Sequence, residues 1–540
     1  MEIRGHPAIH IRLIATYCNC PEPVCHWLCR QSQWHTQQSG TPPGLFSTAI
    51  LSCVSFLSWF QKCVSVPATT ADLSSASTNN RRRWTRSLVI PRARCFNSGL
   101  LLKIPPVISL SVYITMKNPL KSIGPAIIVA AVVLGPGSIL TSSKVGATFG
   151  LIGFPVVVVA AALMIAMVAL SARLGAVYEN SLCDELASRL GRPVAVAIGL
   201  TLFTLVALFQ SSNNIALIGG IEPLFGDEPL SVNARCAVLV IANLLIIATL
   251  YLLRDLYKSV ENCMKILMGL MAAAFLINFF VVFTKPRSYE PVASDGPLDW
   301  LPLLGMIGTT FSVGGAFYQA YLVKEKGWGP REVKEAFADS VVSITMLGGV
   351  TAMILLTSWR VFYGHPEAVT LASVGDVARQ LEPLFGPAAK IIFCLGILAG
   401  ALSSFLVNAL IGGTVMSDSI GKGAKLQDRW PLHLTALALL VGMAVAIVSL
   451  AKEGSTVHLI TIAQALTVLG IPALAAALIY LGIQPHLQGE RRIPPLLIAH
   501  AVIGFCISCV LACMTANKVY DKLFPPSPVT MNQVLEVDVA

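Results

Sequence analysis

The chain has 540 residues, of which 55% are hydrophobic and 12% are charged, with a mean hydropathy of +0.72 and a formal net charge of +10. A water-soluble chain of this length needs about a quarter of its residues charged, so the composition excludes soluble enzymes and nucleic-acid-binding proteins. Apolar runs of about 20 residues recur along the chain, which is typical of an integral membrane protein with many spans.

Residues 1–115 differ in composition from the rest of the chain. They carry 11 Lys and Arg against three acidic residues, seven of the 14 Cys, and no sustained helical periodicity. A Cys- and His-containing run at 18–29 fits no common zinc-finger spacing. We therefore predict that residues 1–115 are a disordered extension, or translated sequence upstream of a start at Met116.

The rest of the chain reads as eleven membrane helices, because lipid offers no partner for loose backbone groups. The predicted spans are about 121–150, 152–176, 193–221, 231–253, 262–284, 301–323, 336–358, 386–413, 432–450, 456–482 and 493–515. With the segment before the first span in the cytoplasm, 17 Lys and Arg lie at cytoplasmic ends and 9 at the opposite ends. This bias predicts a cytoplasmic start of the helical body in a bacterial-type plasma membrane.

The first span contains a helix-breaking sequence near its middle. Gly135-Pro136-Gly137 combines a residue that lacks a backbone donor with two residues of unusual backbone freedom. Carbonyl groups in the turn before Pro136 should lose their intrahelical partners. Such backbone is tolerated in a membrane only where it faces protein or a wet cavity.

The sixth span has a similar feature at Gly314-Gly315. Interrupted helices at matching places in two five-helix halves predict an inverted-repeat secondary transporter, with its binding site between the breaks. Close packing of helices would also explain Gly314-Gly315, but it explains the Gly-Pro-Gly sequence poorly. We predict one transmembrane domain at 116–523, with repeats at about 121–284 and 301–482, an extra helix at about 493–515, and a tail at 524–540.

A family resemblance is carried by residues 135–150, which read Gly-Pro-Gly-Ser-Ile-Leu-Thr-Ser-Ser-Lys-Val-Gly-Ala-Thr-Phe-Gly. This run resembles the first-helix motif of the Nramp (natural resistance-associated macrophage protein) divalent-metal transporters, Asp-Pro-Gly-Asn-Ile-Ala-Thr-Asp followed by Gly-Ala-Gln-Tyr-Gly. Weaker similarity lies at 173–175, at 401–404 and at Gln464, and the likeness covers about residues 117–515.

The resemblance implies an all-α LeuT-type fold, an inverted 5+5 repeat with broken helices 1 and 6, and alternating access. In the family, the first-helix Asp and Asn, a sixth-helix Met and a backbone carbonyl hold Mn or Fe, and a proton moves with the metal. Here the Asp position is Gly135, the Asn position is Ser138 and the Met position is Ser312.

The family's coupling positions are substituted as well. Its third-helix Asp and Glu correspond to Gln210 and Asn213, and its two sixth-helix His positions to Gly314 and Gln319. We find no proton relay, and Lys144 is the notable intramembrane charge. Lys144 could replace a coupled ion, or it could reach the external surface with its long side chain.

These substitutions leave three possibilities: a mostly hydrated Mg²⁺, a neutral or anionic solute on the half-helix N-termini, or loss of metal transport. The predicted substrate-binding residues are Gly135, Pro136, Gly137, Ser138, Asn213, Ser312, Gly314, Gly315 and Gln464, of which Gly135, Ser138, Ser312 and Gln464 would hold the metal. The coupling candidates are Lys144, Gln210 and Gln319.

Other functional classes fit less well. The sequence has no His-Glu-x-x-His pair, Gly-x-Ser-x-Gly elbow, Walker loop or Rossmann fingerprint, which argues against an enzyme and predicts no cofactor. It also shows no repeated pore loop or charge ring of a channel. The predicted function is transport of a divalent cation, Mg²⁺ or Mn²⁺, without proton coupling. The alternative is a small organic solute such as an amino acid, and the predicted partners are the lipid bilayer and no nucleic acid.

Overall fold

The computed structural model describes residues 124–226, 230–253, 255–287, 289–291, 300–365, 371, 375–378, 386–450 and 455–523. The side chains of 301, 455–467, 490 and 518–523 are outside this description. The predicted extension at 1–115 and tail at 524–540 also lie outside the described residues, so both stay predictions.

The described residues form α-helices joined by short turns and 3₁₀ segments. In chain order the helices are α1 (Ala126–Val133), α2 (Pro136–Phe149), α3 (Gly153–Val177), α4 (Leu182–Leu190), α5 (Arg192–Phe225), α6 (Val232–Leu252), α7 (Leu256–Thr284), α8 (Leu301–Thr310), α9 (Val313–Glu325), α10 (Val333–Phe362), α11 (Pro387–Ser419), α12 (Arg429–Leu450), α13 (Ser455–Gly482) and α14 (Pro495–Leu523).

Eight stretches of the described residues are long and apolar enough to cross a bilayer. One of them, Pro136–Val177, covers α2, a 3₁₀ turn and α3, and a shorter apolar helix is Val468–Gly482. The helices follow the predicted spans closely, because long apolar runs between charged turns leave few choices for helix ends. The number of membrane spans stays a prediction.

The first predicted span is two helices, α1 and α2, separated at Leu134 and Gly135. Leu134 has φ −79° and ψ 45°, and Gly135 is extended with φ −83° and ψ −179°. Pro136 is the first residue of α2, a position where its missing N–H costs nothing. The predicted break is therefore confirmed, and Pro136 starts the second half-helix rather than distorting the first.

The sixth predicted span is also two helices, α8 and α9. The break lies at Phe311 (φ −90°, ψ 63°) and Ser312 (φ −84°, ψ 89°), and α9 begins at Val313. The prediction placed this break at Gly314-Gly315, which is two residues too late. Both glycines lie in the first turn of α9, where the helix has already resumed.

The centre of the bundle contains α1 and α11. Every residue of α1 is buried, so this apolar helix is covered by protein on all sides. It packs against α7, α9, α10 and α11, and α11 in turn packs against α5, α7 and α12. The two breaks thus lie inside the protein, where irregular backbone is tolerated.

Candidate functional site

The two helix breaks border one cavity, with a volume of about 60 Å³, which is room for a few water molecules. Ser138 in the first turn of α2 lines the cavity from the first break, and Ser312, Gly314 and Gly315 line it from the second. The predicted juxtaposition of the breaks is therefore present. Gly135, Pro136 and Gly137 form the break itself and the start of α2, next to the lining residues.

Direct contacts join the two broken helices on either side of the cavity. The hydroxyl oxygens of Thr141 on α2 and Thr309 on α8 are 3.3 Å apart. On α9, a Cβ atom at Gly315 would lie 3.2 Å from a methyl group of Val129 on α1. The half-helices are thus close neighbours.

The described walls of the cavity lie near the middles of α5 and α13. Its walls include residues 202–209 of α5, which precede the middle of that helix, and 471 and 474 of α13, which follow its middle. Arg192 at the start of α5 donates to the carbonyl oxygen of Asp418 in the last turn of α11, so these ends lie together. Thr309 itself lines the cavity, so its hydroxyl contact with Thr141 borders the cavity.

Of the residues that the structure describes, four with polar side chains line the cavity: Ser138, Thr309, Ser312 and Asn408. Among the described residues, no acidic or basic side chain lines it, and no group of three or more His, Cys, Asp or Glu is placed to hold a metal. The remaining side chains of the walls are apolar, and they are Val132, Val133, Leu202, Leu205, Val206, Phe209, Val313, Ile411, Ile471 and Leu474. The site can thus offer neutral oxygen ligands and an apolar wall.

The Ser138 hydroxyl has no hydrogen-bond partner in the described part of the chain. The residue is only 2% exposed, and it lines the cavity. A buried hydroxyl without a partner costs about 1–3 kcal/mol. Water or a ligand in the cavity would remove this cost.

Two serines of α11 bond the carbonyl groups that the first break leaves without intrahelical partners. Ser403 donates to the carbonyl oxygen of Ala131 at 2.9 Å, and Ser404 donates to that of Val132 at 2.7 Å. In an uninterrupted helix, Val132 would accept from residue 136, but a proline has no N–H to donate. These serines therefore stabilise the unwound backbone.

Gly135 is required by the close approach of α11. A Cβ atom at position 135 would overlap the Ser404 hydroxyl and lie 3.0 Å from the Ser404 Cβ. The family's Asp at this position could not be accommodated here unless Ser404 moved. The absence of a side chain at Gly135 and the position of Ser404 therefore match each other sterically.

The predicted site residue Asn213 lies outside the cavity lining. It is 1% exposed and donates through its amide to Gln210 Oε1 at 2.6 Å. Gln210 in turn donates to the Phe405 carbonyl oxygen at 2.7 Å. These side-chain amides link α5 to α11 by hydrogen bonds. They lie on a face of α5 that does not line the cavity.

The three remaining predicted residues differ in position. Gln319 is completely buried in α9, and neither amide atom has a partner among the described residues. Lys144 is partly buried in α2, six residues beyond Ser138, which corresponds to about 9 Å along the helix. The side chain of Gln464 lies outside the described residues. Of the residues whose side chains are described, neither Gln319 nor Lys144 lines the cavity.

A buried carboxylate holds the start of α1. Asp339 on α10 is fully buried, and its two oxygens accept from the backbone N–H groups of Gly124 (2.7 Å) and Ala126 (2.8 Å). Ser343 also donates to it, at 3.1 Å. Backbone N–H groups at a helix start lack intrahelical partners, so Asp339 caps α1 from a neighbouring helix.

A second buried carboxylate holds α9 at the same end of the bundle. Asp418 is 1% exposed and accepts from the hydroxyls of Tyr321 on α9 (2.7 Å) and Ser181 (2.5 Å), and from the Cys183 N–H (3.1 Å). Burial, and then the Asp418 charge, raise the pKa of the Cys183 thiol above its ordinary value. Each half-helix that borders the cavity on this side is thus tied to the scaffold by one aspartate.

Sequence reasoning missed Asn408 and Asp339. Each is a single polar residue within a long apolar helix, and such a residue does not reveal which neighbour it faces. The similarity at 401–404 did include the two carbonyl-bonding serines, but it gave no role for them.

Comparisons with known proteins identify the family and the fold. A family model described as "Natural resistance-associated macrophage protein-like" matches residues 126–517. The "Divalent metal cation transporter MntH" of Acidiphilium cryptum is 24% identical over 391 residues, which are 70% of this chain and 86% of that protein. The protein of the same name from Yersinia pestis is 27% identical over 396 residues, 70% and 91% of the two chains.

Solved structures show the same architecture. A crystal structure of a mutant Eremococcus coleocola manganese transporter aligns with a TM-score of 0.65 at 17% identity, covering 81% of this chain and 93% of that one. A likeness at this identity concerns the fold alone. The predicted all-α membrane fold of LeuT type, with broken first and sixth helices, is confirmed.

Proposed function

This chain belongs to the Nramp family, and we propose that it carries a divalent metal cation across a membrane by alternating access. Membership rests on the match over residues 126–517, which is most of the chain. The chain is an integral membrane transporter with many spans and is not an enzyme. We place it in a bacterial-type plasma membrane, with the start of the helical body in the cytoplasm.

The observation that carries this proposal is the cavity between the two breaks. Unwound backbone inside a membrane protein is the usual binding site of inverted-repeat transporters. Here both breaks border one cavity, and four neutral oxygen-bearing side chains line it.

The ligand set favours a hard cation. A thioether helps to select softer transition metals, and Ser312 at the cavity stands where the family has Met. Mg²⁺ keeps several of its waters when it binds, so it demands fewer charged ligands from the protein. We propose Mg²⁺ or Mn²⁺ as substrate, held by Ser138, Ser312, Asn408, the side chain of Gln464 and carbonyl groups next to Gly135 and Gly315.

We propose further that the cation moves without a coupled proton. Gln210 and Asn213 occupy positions where the family has acidic residues, and amides do not titrate in the physiological range. Their side chains are held by hydrogen bonds to each other and to Phe405. This network gives α5 a polar link to α11 but no proton carrier.

The apolar wall supports a second candidate, a small organic solute. Leu202, Leu205, Ile471 and Leu474 border the same cavity, and small-molecule sites combine apolar walls with a few placed polar groups. A solute such as an amino acid would place its polar end at Ser138 and its apolar part on this wall. The family match favours the metal.

An uptake assay in liposomes separates the two candidates. Purified full-length protein is reconstituted, and entry of Mg²⁺, Mn²⁺ and a panel of labelled amino acids is measured with and without a pH gradient. We expect saturable Mg²⁺ or Mn²⁺ entry that a pH gradient does not drive, reduced by Ser312→Ala. Entry of an amino acid with no entry of either cation would overturn the metal assignment, and metal entry driven by a pH gradient would overturn uniport.

A further inference from the structure

The start of α1 is fastened by a carboxylate from a neighbouring helix. Asp339 on α10 accepts from the backbone N–H groups of Gly124 and Ala126, at 2.7 and 2.8 Å. Asp339 is fully buried, so these charge-assisted bonds are shielded from water. Because the N–H groups at a helix start have no intrahelical partners, the two bonds fix the place at which α1 begins.

Trp328 covers the same point from the end of α9. The N–H groups of Gly327 and Trp328 bond the carbonyl oxygens of Lys324 and Val323, and Gly327 has φ 77°. This is a Schellman turn, and it brings the chain back so that Trp328 packs against α3. A Cβ atom at Gly124 would lie 2.6 Å from the Trp328 ring. Asp339 and Trp328 thus hold Gly124 from two sides, and we call these three residues the clasp.

Helix α1 lies between the cavity and the clasp. Val132 and Val133 in its last turn line the cavity, whereas the clasp contacts its start. The two are about 12 Å apart, which is the length of an eight-residue helix. At the cavity, α1 is joined to α2 by the two non-helical residues of the first break. Residues at the ends of elements are where hinges form.

Helix α9 is held differently from α1. The Ser171 hydroxyl of α3 donates to the Phe317 carbonyl oxygen and accepts from the Ala320 N–H, both at 3.2 Å, in the middle of α9. A Cβ atom at Gly175 of α3 would lie only 2.5 Å from the Ala320 carbonyl oxygen. Within the described part of the chain, the hydrogen bonds of α1 to other helices lie at its two ends. Fewer contacts must therefore break for α1 to move than for α9.

We propose that the clasp positions α1 for transport: it holds α1 where this helix closes one end of the path to the cavity. Loss of the clasp lets α1 tilt away about the first break. This inference rests on the proposed function, because alternating access requires that the path be closed at one end at a time. Asp339 and Trp328 are not among the described residues that line the cavity. They act on access to the site and not on the bound cation.

Thiol labelling of the cavity from each face of the membrane tests this role without relying on transport. Val206→Cys places a thiol on the α5 wall of the cavity, on a side chain of similar size. Vesicles of both orientations that contain the full chain are treated with a membrane-impermeant maleimide, and labelling of this peptide is followed by mass spectrometry.

We expect Asp339→Asn to speed up labelling of the Val206→Cys thiol from the face at which α1 begins, which the sequence predicts to be cytoplasmic. The increase should be about 10- to 100-fold, the effect of losing a hydrogen bond to a charged group. Labelling from the opposite face should not become faster. Equal acceleration from both faces would show general loosening of the protein and would overturn the proposal.

A matched control is Glu222→Gln. Glu222, near the end of α5, is also a buried carboxylate, and it accepts from the Leu230 N–H at 3.2 Å and from Arg235 at 2.6 Å. Its loss should loosen the protein without releasing α1, so labelling from the face at which α1 begins should stay within a few-fold of the Val206→Cys background. Acceleration by Glu222→Gln equal to that by Asp339→Asn would overturn the role of the clasp.

Trp328→Leu keeps the test decisive if Asp339→Asn yields no folded protein. Leucine keeps an apolar contact with α3 but uncovers Gly124, and we expect labelling several-fold faster from the same face. Unchanged labelling in whichever of the two variants folds would overturn the proposal. Metal uptake with unchanged labelling leaves the proposed function standing and the clasp refuted, whereas face-specific labelling with no metal uptake by the wild type does the reverse.

Discussion

Ser404 on α11 donates its hydroxyl to the carbonyl oxygen of Val132 on α1 at 2.7 Å, across 272 positions of the chain. The same serine occupies the space into which a side chain at Gly135 would project. One residue therefore stabilises the unwound backbone of the first broken helix and also restricts what can stand at its break.

Removing this bond should destabilise the protein. Ser404→Ala leaves a buried carbonyl group without its partner, and we expect a loss of about 1–3 kcal/mol in the free energy of unfolding. Thermal unfolding of the detergent-solubilised protein measures it. Ser417→Ala on the same helix is the control, because that hydroxyl is buried and has no partner among the described residues. Equal destabilisation by both variants would show that the bond to Val132 contributes nothing.

A metal site of the family type should be recoverable only if Ser404 is changed as well. Gly135→Asp with Ser312→Met restores a carboxylate and a thioether, but the new side chain at 135 collides with Ser404. We expect the triple variant with Ser404→Gly to bind Mn²⁺ at least about tenfold more tightly than the double variant, a difference of about 1.4 kcal/mol. Isothermal titration calorimetry measures it, and tight Mn²⁺ binding by the double variant alone would contradict the steric argument.

The start of α1 should loosen when Asp339 is neutralised. Asp339→Asn keeps one acceptor oxygen where the carboxylate has two, each bonded to a backbone N–H. The lost charge-assisted bond is worth about 1.5–3 kcal/mol, so hydrogen exchange over residues 124–133 should speed up. Mass spectrometry of peptides measures the exchange. Ser343→Ala removes the side-chain donor but leaves both backbone bonds, so it should speed up hydrogen exchange less than Asp339→Asn does. Faster exchange in Ser343→Ala than in Asp339→Asn would refute the cap.

The Cys183 thiol should be inert in the folded protein at pH 7–9. Burial and the Asp418 charge raise the pKa of this thiol, and the thiolate is the reactive form. The pKa of Cys183 in the folded protein lies above the ordinary pKa of a cysteine thiol. Little thiolate therefore forms at Cys183 when the pH is raised past that ordinary pKa. Alkylation at Cys183, followed by peptide mass spectrometry, should stay slow until the chain is denatured. Rapid alkylation of the native protein at pH 8 would contradict the buried position of Cys183.

Loosening α9 should make the same thiol reactive. Tyr321→Phe removes the 2.7 Å bond to Asp418 but keeps the ring. Opening of this contact would expose Cys183, whose N–H bonds the same carboxylate. We expect alkylation of Cys183 to become several-fold faster, as a lost bond of about 1 kcal/mol allows. An unchanged rate would mean that the Tyr321–Asp418 bond does not hold α9 in place beside Cys183.

The helix pattern could be predicted from the sequence because apolar runs of membrane length alternate with charged turns. The first break could be predicted from Gly135-Pro136-Gly137, since proline and glycine act on the backbone locally. The second break was displaced to Gly314-Gly315, because glycine in a membrane helix marks close packing as readily as a break. Phe311 and Ser312, which do adopt the irregular conformation, carry no local signal for it.

The site could be predicted only in part. Ser138 and Ser312 lie at the cavity, since their places follow from the breaks. Asn213 does not line it. The direction of this side chain depends on how α5 is rotated about its axis against α11. The sequence of α5 does not fix that rotation, because the helix is apolar with several polar residues. Asn408 could not be found for the same reason.

Locating the cation in a crystal tests the central claim most directly. Crystals grown with Mn²⁺ are measured near the manganese absorption edge, where anomalous scattering identifies the ion. We expect one peak in the cavity, close to the oxygens of Ser138 and Ser312, and its loss when both are changed to alanine. A peak elsewhere in the bundle, or none in crystals of protein that transports Mn²⁺, would contradict it.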